Sequence, residues 1–276
     1  MVKIRTRKPR SFRQLIPNLL TIFVICAGLT SVRFGMDGKY GFALLLIVLA
    51  AVLDAADGKL ARFLDSVTPI GAELDSLADF FNFGIAPGLL IYFAIFAGTE
   101  HANLGWLAVL VLAVCCALRL ARFNVALDSD EEPTWKNQYF VGVPAPAAGC
   151  LALLPMFFLM LGIAEIRDFP VLIFAYLVIV GLLAVSTVPT MSIKHLKIAQ
   201  EWYLVVLLSG TAFLASLVVY TWQTLIAGCA IYLLSVFFSA SRYYRQLKRA
   251  EAGADDKSAQ SLMQAAIFHL NQESRP

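Results

Sequence analysis

Charge, histidine and paired cysteine are all scarce in this chain of 276 residues. The five cysteines, Cys26, Cys115, Cys116, Cys150 and Cys229, lie inside apolar runs without C-x-x-C spacing, which argues against a zinc site or a disulfide framework. Of the three histidines, His101 and His269 have no partner pattern. Charged residues make up only 15% of the chain, too few to coat a soluble fold of this length. No Gly- or Ser-rich linker divides the chain and no repeat of fixed period is visible, so a single membrane domain is expected. The formal net charge of +3 is too small to argue for nucleic acid. What is abundant is apolar: 59% of residues are hydrophobic, the mean hydropathy is +0.74, and several runs are long enough to cross a hydrocarbon core of about 30 Å.

Eight spans are expected, at about residues 15 to 33, 40 to 62, 73 to 97, 104 to 124, 143 to 163, 169 to 188, 202 to 220 and 222 to 241. The fold class is all-α, a polytopic membrane helix bundle. Six of the first 13 residues are Lys or Arg (Lys3, Arg5, Arg7, Lys8, Arg10 and Arg13), and no small-x-small cleavage site follows, so a retained first span behind a basic cytoplasmic arm, residues 1–14, is expected. With that orientation the outer loops hold only Arg33, Lys39 and Arg167. The other 19 of 22 basic residues (22 minus 3) lie inside, and both termini are cytoplasmic. The membrane domain is expected over 15–241 and a cytoplasmic tail over 242–276, with Leu262, Met263, Ala266, Ile267 and Leu270 at helical spacing. Lys194, His195 and Lys197 in an inner loop, and Arg242, Arg245, Lys248 and Arg249 after the last span, read as topology and anionic-lipid contacts.

Against this apolar background, "VLDAADGKLARFLDSVTPIGAELDSLADF", residues 52 to 80, carries six carboxylates and two cations. Asp54, Asp57, Gly58 and Ala61 lie at offsets 0, 3, 4 and 7, and Gly71, Asp75 and Asp79 at offsets 0, 4 and 8, so each set shares one helical face. A turn containing Pro69 separates the two helices. Four carboxylates facing each other near the membrane surface repel unless a cation sits among them. With no His or Cys nearby, a hard ion with oxygen ligands, Mg²⁺ or Mn²⁺, is favoured, and four Asp are enough for two such ions about 3.5 to 4 Å apart. Gly58, Ala61 and Gly71 either let helices pack closely or leave room for a nucleotide, with Arg62 placed to meet a phosphate. Asp65 and Glu73 read as solvated charges in the turn.

The pattern Asp54-x2-Asp57-Gly58-x2-Ala61-Arg62-x8-Gly71-x3-Asp75-x3-Asp79 resembles the complete signature of the CDP-alcohol phosphatidyltransferase family, with all eight positions filled. The resemblance implies a membrane enzyme that passes a phosphatidyl or similar group from a CDP-linked donor to an alcohol and releases CMP. It implies that Asp54, Asp57, Asp75 and Asp79 bind two divalent cations, with Asp79 as the base, and that Asp57, Gly58, Ala61, Arg62 and Gly71 bind the CDP group. The blocks "IPNLLT", "GAELDSLADFFNFGIAPGLL", "CALRLARFNV" and "YFVGVPAPAAG" are similar to the serine-dependent branch, which implies CDP-diacylglycerol and L-serine as substrates and an inner-membrane enzyme facing the cytoplasm. A homodimer in contact with bilayer lipids is the family expectation.

Arg119 and Arg122 either meet the acceptor carboxylate or a phosphate in an interior cavity or snorkel to the interface, with Asn124 a weaker candidate in the same block. Asn18 and Thr21, at the entrance of the first span, either contact the nucleotide or serve as caps and interhelical hydrogen bonds. Glycerol phosphate, inositol or choline are rival acceptors. A cation channel or carrier and an inactive scaffold are rivals of another class; the acids cluster at one membrane face and do not continue through the other spans.

Overall fold

The structure, a computed structural model, describes residues 15–63, 68–127, 139–186, 189–191 and 202–242. Helices α1 (Leu15–Met36) and α2 (Tyr40–Phe63) form an antiparallel hairpin whose turn places Gly38 at φ +74, a conformation that closes a helix end readily only with glycine. Lys39 N–H donates to the Phe34 carbonyl at 2.8 Å across that turn. The next span runs unbroken from Pro69 to Phe96. It begins with α3 (Pro69–Asp79), where Thr68 caps the helix by accepting from Gly71 N–H at 3.0 Å and Pro69 occupies the first turn, where no N–H is required. Directly after Asp79 the helix widens into a π-helical turn, Phe80–Ile85, then resumes as α4 (Ala86–Ile91) and widens again over Tyr92–Phe96. Such turns accommodate Pro87, which has no N–H to give an α-helical ladder.

This third span is the hub of the bundle. Its apolar stretch is 61% buried, against 17–39% for the other four long apolar helices among the described residues. It is held from three sides by close approaches. A Cβ on Gly28 of α1 would lie 1.7 Å from Asn82 Oδ1; one on Gly84 would lie 2.8 Å from Cys116 Cβ on α5 (Ala102–Leu127); one on Gly149 of α6 (Ala145–Ala152) would lie 3.0 Å from the Phe83 backbone. Small residues at these crossings let the helices approach closely in lipid, where apolar burial alone drives little association.

Beyond α6 come the short α7 (Leu154–Met160), a 3₁₀ turn (Ala164–Asp168), α8 (Pro170–Val185), α9 (Tyr203–Val219) and α10 (Thr221–Arg242). The single span expected at 143 to 163 is thus two short helices. Pro155 explains the break, because it starts α7 and cannot continue the hydrogen bonding of α6. The helical architecture is interrupted among the described residues by one small ribbon, β1 (Tyr139–Val141) antiparallel to β2 (Pro189–Met191). It joins the approach to α6 to the exit of α8.

Among the described residues five helices are long and apolar enough to cross a membrane, and α8 and α9 are shorter apolar helices. The core lies where α2, α4, α5, α6 and α8 meet, around Leu44, Leu90, Leu112, Leu151 and Leu177. The basic arm 1–14, Asp65, the loop with Lys194, His195 and Lys197, and the tail beyond Arg242 with Arg245, Lys248, Arg249 and His269 fall outside the described residues. Glu73 is not in the turn: it lies on α3, exposed. His101 stands beside α5 with Nε2 3.4 Å from Glu100 Oε1.

Candidate functional site

Helix α2 carries Asp54 and Asp57 one turn apart, and α3 carries Asp75 and Asp79 one turn apart. One carboxylate oxygen from each of Asp54, Asp57 and Asp75 lies within 4.8 Å of the others. Asp79, one turn beyond Asp75 on α3, lies close enough to Asp54 for the two carboxylates to interact. Among the described residues no Lys or Arg forms an ion pair with any of the four. Oδ1 of Asp57 and Oδ1 of Asp79 are buried and have no hydrogen-bond partner. Buried carboxylate oxygens without donors, converging from two helices, fit a hard divalent cation, which takes oxygen ligands.

Helix α1 supplies the support. Thr21, buried at 4% exposure, places its hydroxyl 3.0 Å from Asp57 Oδ2 and 3.1 Å from the Pro17 carbonyl. Of the two expectations for Thr21, nucleotide contact or an interhelical hydrogen bond, the structure shows the interhelical bond, made to a carboxylate of the cluster. Helix α1 is registered against the third span by Asn82, fully buried, whose Nδ2 donates to the Val24 carbonyl at 3.2 Å.

The small residues divide. A Cβ on Gly58 would meet nothing within 4 Å, so space opens beside Asp57. A Cβ on Gly71 would lie 2.7 Å from Asn18 Oδ1 and 3.0 Å from Thr68 Oγ1, so here glycine admits Asn18 and the α3 cap. Ala61 and Arg62 continue α2 toward its end, and their side chains fall outside the described structure.

Helix α5 closes another side. Arg119 Nε donates to the Val143 carbonyl at 2.7 Å, while its Nη1 is buried without a partner. Its charge reaches Asp79 without forming an ion pair. Arg122 is exposed and donates through Nη2 to the carbonyls of Val185 and, at 3.2 Å, Ser186, at the C-terminal end of α8 where helix carbonyls lack intrahelical partners. Asn124 Nδ2 donates to Ser76 Oγ at 3.1 Å, tying α5 to α3 between two of the aspartates. Sequence reasoning passed over Ser76 and Asn82. Asn82 is a lone polar residue among apolar neighbours and Ser76 stands next to Asp75, both on the span that bears Asp75 and Asp79.

Residues 14–188 match the sequence profile of the CDP-alcohol phosphatidyltransferases, and this stretch contains every one of these carboxylates. The chain belongs to this family. It is 45% identical over 157 residues to the CDP-diacylglycerol–serine O-phosphatidyltransferase of Mycobacterium leprae, a match covering 54% of this chain and 51% of that protein. The enzyme of the same name from Helicobacter pylori is 30% identical over 199 residues, covering 70% of this chain and 79% of that protein. An archaetidylserine synthase of Methanothermobacter thermautotrophicus is 33% identical over 135 residues, covering 48% and 54%. The chain spans about half the length of the mycobacterial relatives it matches. Members of this family of phosphatidyltransferases generally use divalent metals, and the Asp54, Asp57 and Asp75 group offers donors for one. Its several apolar helices make it a multi-pass membrane protein.

Proposed function

We propose that this chain transfers the phosphatidyl group of CDP-diacylglycerol to the hydroxyl of L-serine, forming phosphatidylserine and CMP in phospholipid biosynthesis. The observation that carries the reading is the convergence of the Asp54, Asp57 and Asp75 carboxylates from α2 and α3, with Asp79 next to them and buried, unpartnered oxygens on Asp57 and Asp79, beside the open space at Gly58. The names of the Mycobacterium leprae and Helicobacter pylori relatives support serine as the acceptor.

Asp54, Asp57, Asp75 and Asp79 would hold two cations, Mg²⁺ or Mn²⁺. Such ions, when bound, offset the charge of a pyrophosphate and of departing CMP. The protein's own part is to orient and to move one proton. Thr21 fixes the rotamer of Asp57. Asp79, at the end of α3, takes the proton of the serine hydroxyl. The hydroxyl oxygen then bonds to the phosphatidyl phosphorus as the bond from phosphorus to the CMP oxygen breaks. Gly58, Ala61, Arg62, Gly71 and Asn18 flank the CDP group, and Arg119 meets the acceptor. Arg122 and Asn124 act at one remove, through the α8 carbonyls and Ser76.

The wider setting in this reading is a bacterial inner membrane, crossed eight times with both termini inside. Residues 15–241 form the catalytic domain between a basic arm and a polar tail, the acids face the cytoplasm, and the functional unit is a homodimer in lipid.

The test is CMP release by purified protein in detergent with CDP-diacylglycerol and Mg²⁺, comparing serine with glycerol phosphate, inositol and choline, each beside a chelator control. Serine-dependent, chelator-sensitive release is expected. Release with another acceptor alone overturns the serine assignment, and release with none overturns the transferase reading.

A further inference from the structure

Among the described residues only two buried side-chain donors have no partner: Nη1 of Arg119 and the hydroxyl of Tyr232. Arg119 comes from α5. Tyr232 comes from α10, more than a hundred residues later in the chain. The two are nonetheless close enough for the guanidinium charge to act on the Tyr232 hydroxyl, and the same guanidinium acts on Asp79.

The placement of Tyr232 follows from the inward stripe of α10. Cys229, Val236 and Ser239 on that helix are buried, and Tyr232 falls at helical spacing between the first two, on the same face. Its ring packs against the main core cluster, which includes Val143, whose carbonyl holds Arg119 by Nε. Arg119 is thus oriented by one hydrogen bond and leaves another donor free, and the Tyr232 ring is fixed by packing with its hydroxyl free. A buried donor without an acceptor is costly, and neither the Arg119 Nη1 beside Asp79 nor the Tyr232 hydroxyl has an acceptor within hydrogen-bond reach. The missing partner must bring acceptors and negative charge.

We propose that Arg119 Nη1 and the Tyr232 hydroxyl together form the subsite that receives the carboxylate of the amino-acid acceptor. One charged donor and one neutral donor match the two oxygens of a carboxylate, and the charged donor meets the cost of bringing an anion into a low-dielectric site. In serine the hydroxyl and the carboxylate are on adjacent carbons. A carboxylate anchored beside Arg119 therefore keeps the hydroxyl near Asp79, the aspartate on which the Arg119 charge acts. The last helix then takes part in acceptor choice and is more than a lipid-facing scaffold. An acceptor with no carboxylate would leave both donors unpaired, and sites of this kind discriminate strongly against analogues that lack the expected group.

The proposal rests on the reading of the chain as a serine-dependent transferase, and the experiment separates the two. Initial rates of CMP release are measured for the full chain and for Tyr232→Phe, with serine and with serinol, in which a hydroxymethyl group replaces the carboxylate. The ring of Phe fills the same packing space. The KM for serine is expected to rise about tenfold in the variant, the effect of one lost hydrogen bond to a charged group, with a smaller change in kcat. The preference for serine over serinol should fall by a similar factor, while the KM for CDP-diacylglycerol moves far less. Wild-type protein that uses serine, together with a variant whose KM for serine is unchanged, overturns the subsite alone. A comparable rise in the KM for CDP-diacylglycerol assigns the two donors to the donor phosphate and also overturns it. Wild-type protein that shows no serine-dependent release overturns the serine reading and the subsite with it.

Discussion

The hydroxyl of Thr21 on α1 stands 3.0 Å from Oδ2 of Asp57 on α2, 36 positions later, and both residues are buried. A carboxylate that offers one oxygen to a cation is oriented by what holds the other, and such supporting contacts typically change metal affinity by about 10- to 100-fold when lost. Thr21→Val keeps the branched shape and removes the donor. The Mg²⁺ concentration giving half-maximal CMP release should rise about tenfold or more, and Thr21→Ser should restore most of the difference. An unchanged Mg²⁺ requirement in Thr21→Val would remove Thr21 from the support of the site.

Asp79 differs from its three companions in position. It lies outside the group formed by Asp54, Asp57 and Asp75 and borders the π-helical turn, while sharing with Asp57 a buried, unpartnered Oδ1. If it moves the proton, Asp79→Asn should lower kcat by about 100- to 10,000-fold, the usual range for a lost general base, with little change in the KM for CDP-diacylglycerol. Asp54→Asn should instead raise the metal requirement first. Steady-state kinetics across a Mg²⁺ titration distinguish the two. Equal behaviour of both variants would mean that Asp79 serves as a ligand alone and that the proton goes elsewhere.

The acids could be read from the sequence because charge inside an apolar helix is expensive. Asp54, Asp57, Asp75 and Asp79 fall at spacings that stack them on single faces, so cost and geometry pointed the same way. Long-range partners gave no such signal. Tyr232 is one of nine tyrosines, and nothing in its neighbourhood distinguishes an inward hydroxyl from an interfacial one. Arg119 and Arg122 sit three positions apart on one helix, yet one is turned to a buried carbonyl and the other to the end of α8, a difference set by how α5 packs. The break at Leu153 was legible in Pro155, but the apolar run around it reads as one span because hydropathy does not register a missing N–H.

Gly28 and Asn82 make a pair that can be tested for stability. A Cβ at position 28 would lie 1.7 Å from Asn82 Oδ1 and 2.9 Å from its Cγ, so Gly28→Ala must displace a fully buried amide and strain its bond to the Val24 carbonyl. Overpacking and a disturbed buried hydrogen bond together should destabilise the protein by roughly 2 to 4 kcal/mol. In Asn82→Ala the obstacle is gone, and adding Gly28→Ala should then cost less than it does alone. Denaturant unfolding in detergent of the two single variants and the double variant measures this, and strictly additive costs would contradict the contact.

Ser76 and Asn124 supply the last test, because their hydrogen bond at 3.1 Å is the polar tie between α3 and α5 at the level of the aspartates. Ser76 sits between Asp75 and Asp79 in sequence, so a shift of α3 along α5 would move both carboxylates together and change how well they share a cation. Ser76→Ala and Asn124→Ala should each raise the Mg²⁺ requirement by a few-fold, and each should leave the other partner's polar atom unpaired in a half-buried place. Once one partner is absent, removing the second should add little. A double-mutant cycle read on the Mg²⁺ requirement should therefore show a coupling of about 0.5 to 1.5 kcal/mol, and a cycle that closes near zero would mean that α5 holds α3 by apolar packing alone.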